Sequence, residues 1–193
     1  MKSHATTKAT WSRSKTFEPL PASGKKNIAL TGFMAVGKTV VGRRLARRLN
    51  WRFVDLDRAI EEAEGMKVHQ VFRRKGEAYF RAAEKRALKR LLGEDSQVLA
   101  TGGGAIVDEE NLRLLKERSL LICLTAAPET LLRRSGGVKR RPLLEGGARR
   151  ERIEELLRRR EKRYAQAHAT IDTDRLSVDE VVEKIVEVIQ SGA

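Results

Sequence analysis

The chain is poor in cysteine, histidine and long apolar runs, and each shortage excludes a class of protein. A single Cys in 193 residues excludes an internal disulfide framework. Three scattered His residues without a pair of Cys residues argue against a zinc site. No apolar run reaches the roughly 18 to 20 residues that cross a bilayer, and residues 1–26 lack the apolar core of a secretory signal. We therefore expect a cytoplasmic protein.

Positive charge is the dominant feature of the composition, and it is concentrated in two segments. The net charge is +14, of which residues 1–26 carry +5 and residues 133–163 carry +8. The first segment is rich in Ser, Thr, Lys and Pro without any period, so we interpret residues 1–26 as a flexible basic tail. The internal basic block indicates a surface that meets phosphate, either on a nucleotide or on nucleic acid.

Short apolar strands alternate with amphipathic helices from residue 27 onward. The predicted strands are 27–31, 52–55, 98–100, 120–124 and 170–172. The predicted helices are 39–49, 57–64, 77–92, 108–118, 128–135, 150–167 and 178–190. This alternation predicts an α/β fold in which helices cover both faces of a parallel sheet. Residues 135–149 break the pattern, because glycines bracket a basic segment there, and we expect a hinged lid.

A glycine-rich loop follows the first predicted strand and precedes the first predicted helix. Residues 32–39 fit the pattern G-x-x-x-x-G-K-[ST]. Its two glycines permit backbone angles that turn successive N–H groups toward a phosphate at the helix N-terminus. The lysine can reach the terminal phosphates, and the threonine hydroxyl can bind Mg²⁺. We predict that the nucleotide is bound by the loop residues Gly32, Ala35, Val36, Gly37, Lys38 and Thr39.

The second predicted strand ends in two alternating carboxylates, Asp55 and Asp57. The carboxyl end of a strand in a parallel sheet is where ligands bind, and here it lies beside the phosphate loop. One carboxylate could hold the hydration shell of Mg²⁺, and the other could accept a proton from an acceptor hydroxyl. The structural alternative is an N-cap for the helix that follows.

Two further patterns point to an acceptor site. Arg81 and Glu84 are neighbours on a predicted helix, so the carboxylate can orient the guanidinium group. The alternative is an exposed ion pair that contributes little. Three glycines, Gly102, Gly103 and Gly104, directly follow the third predicted strand. Such a run lets the backbone approach a ligand closely and offers N–H donors to it.

These pieces together resemble the shikimate kinases, small P-loop kinases of aromatic amino acid biosynthesis, over residues 27–190. The resemblance implies a P-loop NTPase-like fold of the nucleoside monophosphate kinase type, with three α/β/α layers and a five-stranded parallel sheet. It also implies transfer of the γ-phosphate of ATP to the 3-hydroxyl of shikimate, with Mg²⁺. The motifs that carry it, in the order of that family, are the phosphate loop, D-x-D, G-E-x-x-F-R-x-x-E at 76–84, the triple glycine, R-P-L-L at 141–144 and R-x-x-x-Y at 160–164.

The resemblance also implies roles for single residues. Those implied in catalysis are Lys38, Asp57 and Arg141. Those implied in acceptor binding are Asp57, Arg81, Gly102, Gly103, Gly104, Arg160, Phe72 and Phe80. Thr39 and Asp55 would serve the metal, and Arg134 and Arg141 the nucleotide. Ala35 departs from the family, which usually has glycine there, and we expect this to tune the loop without abolishing its function.

The resemblance divides residues 27–193 into parts of one kinase domain. Residues 27–56 and 94–133 would form the nucleotide-binding core, 57–93 the shikimate-binding part, 135–149 the lid, and 150–193 the C-terminal helices and last strand.

Two alternatives remain open at this point. One is a P-loop kinase for another small hydroxy acid such as gluconate. The other is a non-catalytic binding module or a basic nucleic-acid binder. Arg81, Arg160 and Gly103 favour a ring carboxylate as acceptor, and no aromatic residues are interleaved with the basic block for base stacking. We expect a monomer that binds shikimate and ATP, without nucleic-acid or membrane partners.

Overall fold

The core of the fold is a five-stranded parallel sheet. The computed structural model describes residues 25–135 and 149–191. The strands are β1 (Asn27–Gly32), β2 (Arg52–Asp55), β3 (Gln97–Ala100), β4 (Leu120–Thr125) and β5 (Ala169–Asp172). Their order in the sheet is β2-β3-β1-β4-β5, and every neighbouring pair is parallel. The predicted five-stranded parallel sheet is therefore confirmed.

Helices cover both faces of this sheet. Seven α-helices lie within the described residues: α1 (Lys38–Leu49), α2 (Leu56–Glu64), α3 (Val68–Leu91), α4 (Glu109–Arg118), α5 (Pro128–Ser135), α6 (Arg149–Tyr164) and α7 (Val178–Ser191). A short 3-10 helix at Ala105–Val107 precedes α4. Among the described residues, no helix is both long enough and apolar enough to cross a membrane.

Alternation of side chains along the buried strands produces two apolar cores, one on each face. Successive strand residues point to opposite faces. In β1, Ile28 and Leu30 belong to the core that contains α1 and α7, whereas Ala29 belongs to the core that contains α2, α3 and α4. All six residues of β1 are buried, as expected for a central strand that is covered on both sides. The predicted three-layer arrangement follows from this alternation.

Helix α3 is longer than the sequence predicted, because a helical segment precedes the predicted start at residue 77. The two parts meet at a kink at Gly76, whose φ of 82° and ψ of 169° are not helical. In a straight helix, eight residues span about 12 Å along the axis. The kink instead brings the rings of Phe72 and Phe80 to a centroid distance of 4.4 Å. The spacing of Val68, Val71 and Phe72 is helical and could have revealed the first part.

Polar contacts hold the start of the last helix and the first described residues in place. A capping box begins α7: Ser177 N–H donates to Glu180 Oε2 at 2.7 Å, and Glu180 N–H donates to Ser177 Oγ at 3.3 Å. At the other end, Lys25 Nζ donates to the carbonyl of Lys116 at 2.8 Å, and Lys26 pairs with Asp95 at 2.9 Å. Residues 1–24, most of the predicted tail, lie outside the described residues.

His168 extends the pairing of β4 and β5 by one residue. Its N–H donates to the carbonyl of Leu121 at 2.8 Å, and its ring Nδ1 accepts from the N–H of Leu121 at 2.9 Å. A protonated ring could not accept this bond. Burial lowers the pKa of His168, and the nearby charges of Lys25 and Lys116 lower it further. The folded state therefore holds this ring neutral.

We predict that His168 makes the fold acid-sensitive. Because its pKa is lower in the folded state, the unfolded chain binds the proton more readily. The stabilisation is complete above the unfolded pKa of about 6.5 and is lost as the pH falls through the folded pKa. Urea unfolding should show a drop in midpoint between pH 7.5 and 5.5 that is smaller in His168→Asn, which keeps an acceptor but does not titrate. His69→Asn is the control and should behave as wild type; equal drops in wild type and His168→Asn would contradict the prediction.

Candidate active site

The phosphate loop connects β1 to α1 in the conformation that its glycines allow. Gly32 and Gly37 have φ values of 130° and 109°. A Cβ on Gly32 would collide with the carbonyl of Leu124 on the neighbouring strand. The first turn of α1 has no acidic residue, and its N-cap has no side-chain hydrogen bond. The helix therefore presents the N–H groups of its first turn and the positive end of its dipole, the arrangement that binds phosphate.

Ala35 occupies a backbone conformation in this loop that favours glycine. Its φ is 63°, in the left-handed region. This conformation costs a residue with a Cβ about 1 to 2 kcal/mol. The loop therefore carries a small strain at the position where this sequence departs from the family.

The amine of Lys38 lies over the loop. Lys38 Nζ donates to the carbonyls of Gly32 at 2.8 Å and Phe33 at 2.9 Å. These carbonyls belong to the end of β1 and the start of the loop, so the ammonium group is held at the mouth of the phosphate cradle. A flexible point charge in this position suits terminal phosphate oxygens.

Thr39 and Asp55 meet at the carboxyl edge of the sheet. The hydroxyl of Thr39 donates to Asp55 Oδ2 at 3.0 Å. The other oxygen of Asp55 accepts from Arg58 N–H at 3.4 Å and caps α2. The two interpretations of Asp55 from the sequence thus describe different oxygens of one carboxylate. A hydroxyl and a carboxylate fit Mg²⁺, which takes one or two protein oxygens and completes its shell with water and phosphate.

Two cavities adjoin at this edge. One, of about 270 Å³, lies on the phosphate loop and contains Lys38, Thr39 and Asp55. The other, of about 280 Å³, lies between α2, α3 and the triple glycine. Four residues line both cavities: Met34, Asp57, Gly102 and Gly103. Asp57 is therefore placed where groups bound in the two cavities would meet.

A guanidinium group held by two carboxylates lies on the α3 side of the second cavity. Arg81 Nη1 donates to Glu84 Oε2 at 2.9 Å, and Arg81 Nη2 donates to Glu77 Oε1 at 3.1 Å. Glu84 is only 1% exposed, so this contact is not an exposed ion pair. Its Oε1 atom is buried and has no hydrogen-bond partner among the described residues. Burial raises the pKa of Glu84, Arg81 opposes this, and the charges of Asp57 and Asp108 add to the rise.

A second guanidinium group enters the cavity from α6. Arg160 is only 7% exposed. Its Nη1 donates to the carbonyl of Gly103 at 2.9 Å, and its guanidinium lies 5.7 Å from the centre of the Phe33 ring. A buried cation is costly unless it is paired with an anion or fully hydrogen-bonded. This second cavity, called the acceptor cavity below, is thus lined by two arginines, which favour a negatively charged ligand. The carboxylates of Asp57, Glu61 and Glu84 line it as well.

The triple glycine passes so close to other groups that even a Cβ would force its neighbours to move by a few tenths of an ångström. A Cβ on Gly102 would lie 3.0 Å from Asp57 Oδ1, one on Gly103 3.3 Å from the Gly32 carbonyl oxygen, and one on Gly104 3.2 Å from both terminal nitrogens of Arg81. Within the described part of the chain, the N–H groups of Gly103 and Gly104 have no hydrogen-bond acceptor. They remain available to a ligand.

The remaining predicted residues divide between apolar walls, the nucleotide side and the lid. Phe72 and Phe80 line the acceptor cavity. Arg134 joins the phosphate loop to the segment after β5, since it donates to the carbonyls of Thr173 at 2.9 Å and Val36 at 3.4 Å. Arg141 and residues 136–148 of the predicted lid lie outside the described residues.

Sequence reasoning missed several residues of the acceptor cavity: Met34, Glu61, Val68 and His69. Met34 lies inside the phosphate loop, where the motif leaves the side chain unspecified. Val68 and His69 lie on the unpredicted first part of α3. Glu61 accepts from Val68 N–H at 3.1 Å and so fixes the start of that helix. Recognising the helical spacing of Val68 and Phe72 would have found this wall.

The fold and the site define a P-loop protein whose phosphate loop adjoins a second cavity lined by two arginines. Comparison with known proteins gives the family. The family of shikimate kinases matches residues 34–190. The shikimate kinase of Pelotomaculum thermopropionicum is 47% identical over 86% of this chain and 96% of its own. That of Persephonella marina is 45% identical over 83% of this chain and 97% of its own.

A solved structure agrees with these relatives. The shikimate kinase from Acinetobacter baumannii in complex with shikimate superposes with a TM-score of 0.84 at 37% identity, over 88% of this chain and 95% of that one. The chain belongs to the shikimate kinase family. The predictions of an ATP-dependent kinase, with ATP and Mg²⁺ as cofactors, are thereby confirmed, and the comparisons support neither alternative.

We predict that Gly102→Ala damages turnover more than folding. The added methyl group would lie 3.0 Å from Asp57 Oδ1 and 3.4 Å from Glu84 Oε1, so it displaces the carboxylate between the two cavities. The carboxylate must move by a few tenths of an ångström. Because a displacement on the order of 1 Å costs about 100-fold in rate, we expect a smaller loss of about three- to tenfold in kcat/KM. Gly93→Ala is the control, because its methyl group is similarly tight, 3.2 Å from the Arg90 carbonyl oxygen, but remote from both cavities. Steady-state kinetics with shikimate and urea unfolding would be compared; equal kcat/KM in the two variants would contradict the prediction.

Proposed function

We propose that this protein transfers the γ-phosphate of ATP to the 3-hydroxyl of shikimate, giving shikimate 3-phosphate and ADP in the route to chorismate and the aromatic amino acids. The observation that carries the proposal is the pair of adjoining cavities that share Asp57. One cavity has the chemistry of a triphosphate site, and the other holds two arginines, which suit a carboxylate. An acceptor that carries both a carboxylate and hydroxyl groups could bind the arginines through its carboxylate and place a hydroxyl group beside Asp57.

On the donor side, the phosphate loop positions the triphosphate. The N–H groups at the start of α1 bind phosphate oxygens, and Lys38 leaves its two carbonyl acceptors to neutralise the terminal phosphates. Thr39 and Asp55 would hold Mg²⁺, which would neutralise charge on the triphosphate. Gly32, Ala35, Val36 and Gly37 supply the backbone of the cradle.

On the acceptor side, Arg81 and Arg160 bind the carboxylate of shikimate. Guanidinium groups form paired hydrogen bonds with a planar carboxylate, which a lysine cannot do. The free N–H of Gly103 adds a donor, with Gly102 and Gly104 allowing the close approach. Phe72 and Phe80 pack against the ring. These contacts fix the orientation of the ring, and with it the hydroxyl that faces Asp57.

Asp57 acts on the hydroxyl that receives the phosphoryl group. Its carboxylate accepts a hydrogen bond from the 3-hydroxyl and takes its proton as the new bond to phosphorus forms. Phosphoryl transfer depends mainly on positioning and charge neutralisation, so a weak base suffices here. The rest of the catalysis comes from holding the two substrates in line.

The lid and the adenine site complete the proposal. Arg141, in the R-P-L-L motif, lies outside the described residues, and its proposed role is to neutralise charge on the transferring phosphate. Arg134 stacks on adenine, supported by its position between the phosphate loop and the segment after β5. The domain then divides as the sequence predicts: core at 27–56 and 94–133, acceptor part at 57–93, C-terminal part at 150–193, and the basic tail outside the reaction.

The protein is proposed to act as a cytoplasmic monomer, without nucleic-acid or membrane partners. Use of ATP favours the cytoplasm. Among the described residues, the exposed large apolar side chains are scattered singly, which supports a monomer. They are Val40, Tyr79, Val107 and Val178.

We predict ADP release with shikimate and not with quinate or gluconate, in the presence of ATP and Mg²⁺. Lys38→Ala is the matched blank, because it removes the terminal-phosphate cation while leaving the acceptor cavity unchanged. Turnover with gluconate or quinate at a rate similar to that with shikimate would contradict the assigned carboxylate site. ATP binding without turnover on any of the three would contradict the proposed reaction.

A further inference from the structure

The carbonyl of Gly103 accepts hydrogen bonds from two buried side chains at once. Arg160 Nη1 and Tyr164 Oη each lie 2.9 Å from this oxygen. The two residues are four apart on α6, so they occupy the same face of the helix. A carbonyl oxygen has two lone pairs, so both bonds can form together. The peptide between Gly103 and Gly104 is thereby fixed from one side.

Of the two donors, Arg160 and Tyr164, only Arg160 borders the acceptor cavity. Arg160 lines the acceptor cavity, whereas Tyr164 is absent from its lining and packs in the apolar core with α3 and α4. Only 7% of Tyr164 is exposed. Burial raises the pKa of its phenol to about 12, although Arg160 opposes the rise. Tyr164 therefore keeps its proton and serves as a permanent donor, while Arg160 is a donor that an incoming anion can attract.

Binding of a carboxylate would weaken one of the two hydrogen bonds to the Gly103 carbonyl. The attraction of the anion draws the guanidinium group of Arg160 toward the cavity and weakens its bond to Gly103. If Arg160 were the sole donor, the carbonyl would be left buried without a partner, at a cost in free energy. The hydroxyl of Tyr164 prevents that loss. It also holds the glycine loop in place while its N–H groups, which have no acceptor among the described residues, face the ligand.

We infer that Tyr164 is a positioning residue for acceptor binding: its hydroxyl keeps the Gly103 carbonyl bonded and so releases Arg160 to the carboxylate of the substrate. The inference rests on the proposed function, since it assumes that Arg160 binds the acceptor. Tyr164 touches neither the substrate nor the nucleotide and acts only through the glycine loop.

The test compares Tyr164→Phe with Tyr79→Phe. The chain has two tyrosines, and the hydroxyl of Tyr79 also makes a hydrogen bond, at 3.0 Å to Glu64 Oε2, but outside the acceptor cavity. We expect Tyr164→Phe to raise the Kd for shikimate about tenfold, which corresponds to about 1.4 kcal/mol. The Kd for ATP and kcat at saturating shikimate should stay within about twofold of wild type. Tyr79→Phe should leave all three unchanged.

Three results would overturn the inference. Equal shikimate affinity in both variants would show that the hydroxyl does not assist Arg160. An equal loss of ATP and shikimate affinity in Tyr164→Phe would show a general structural role. A wild-type protein that neither binds nor phosphorylates shikimate would overturn the proposed function together with this inference, so the two failures are distinguishable.

A second measurement tests the inference even if the Tyr164→Phe variant does not fold. With 3-fluorotyrosine at both positions, the fluorine resonance of residue 79 is assigned by its absence in Tyr79→Phe. We expect the resonance of residue 164 to shift when shikimate is added without ATP, because the other donor to its carbonyl moves away. The resonance of residue 79 should not move. A resonance of residue 164 that is unchanged at saturating shikimate would also overturn the inference.

Discussion

Burial of charge at the carboxyl edge of the sheet is the constraint on which the acceptor site depends. Glu84 and Arg160 are almost inaccessible to solvent, and each is held by a specific partner, Arg81 for the first and the Gly103 carbonyl for the second. Charges in such surroundings are tolerated only when their partners are correctly placed. The triple glycine makes this possible, because the backbone can pass within contact distance of both guanidinium groups. Two guanidinium groups are therefore held in place at this cavity before any ligand arrives, beside the carboxylates of Asp57, Glu61 and Glu84.

The parallel sheet brings this charged cavity to the phosphate loop. The loop after β1, the carboxylates at the end of β2 and the glycines after β3 all leave the same edge, and these strands are neighbours in the order β2-β3-β1. Ligands of α/β sheets bind at this edge for that reason. Asp57 lies between the two cavities because it is in the first turn of α2, two residues after the end of β2. The two cavities thus adjoin because the strands that carry their residues are neighbours in the sheet.

Much of the fold and of the site could be predicted from local sequence patterns. Strands that are buried on both faces can be recognised as continuous apolar runs. The phosphate loop and the triple glycine can be recognised as short motifs, because their backbone conformation or close contacts require glycine. The first part of α3 was missed, since the sequence interpretation began that helix after Gly76 and left residues 68–75 unassigned. The shared bonds of Gly103 with Arg160 and Tyr164 could not be predicted, because they join segments 57 and 61 residues apart. Such contacts depend on tertiary packing and not on local pattern.

The central claim is that two arginines, the buried Arg160 and the half-buried Arg81, select an acceptor by its carboxylate. The most direct measurement is calorimetric titration of the protein, without nucleotide, with shikimate and with its methyl ester, which keeps the ring and the hydroxyl groups but removes the negative charge. Charge-assisted hydrogen bonds to two guanidinium groups should make the ester bind at least about 100-fold more weakly, or about 2.8 kcal/mol. Equal affinities for the acid and the ester would contradict the account, because the arginines would then contribute nothing to recognition.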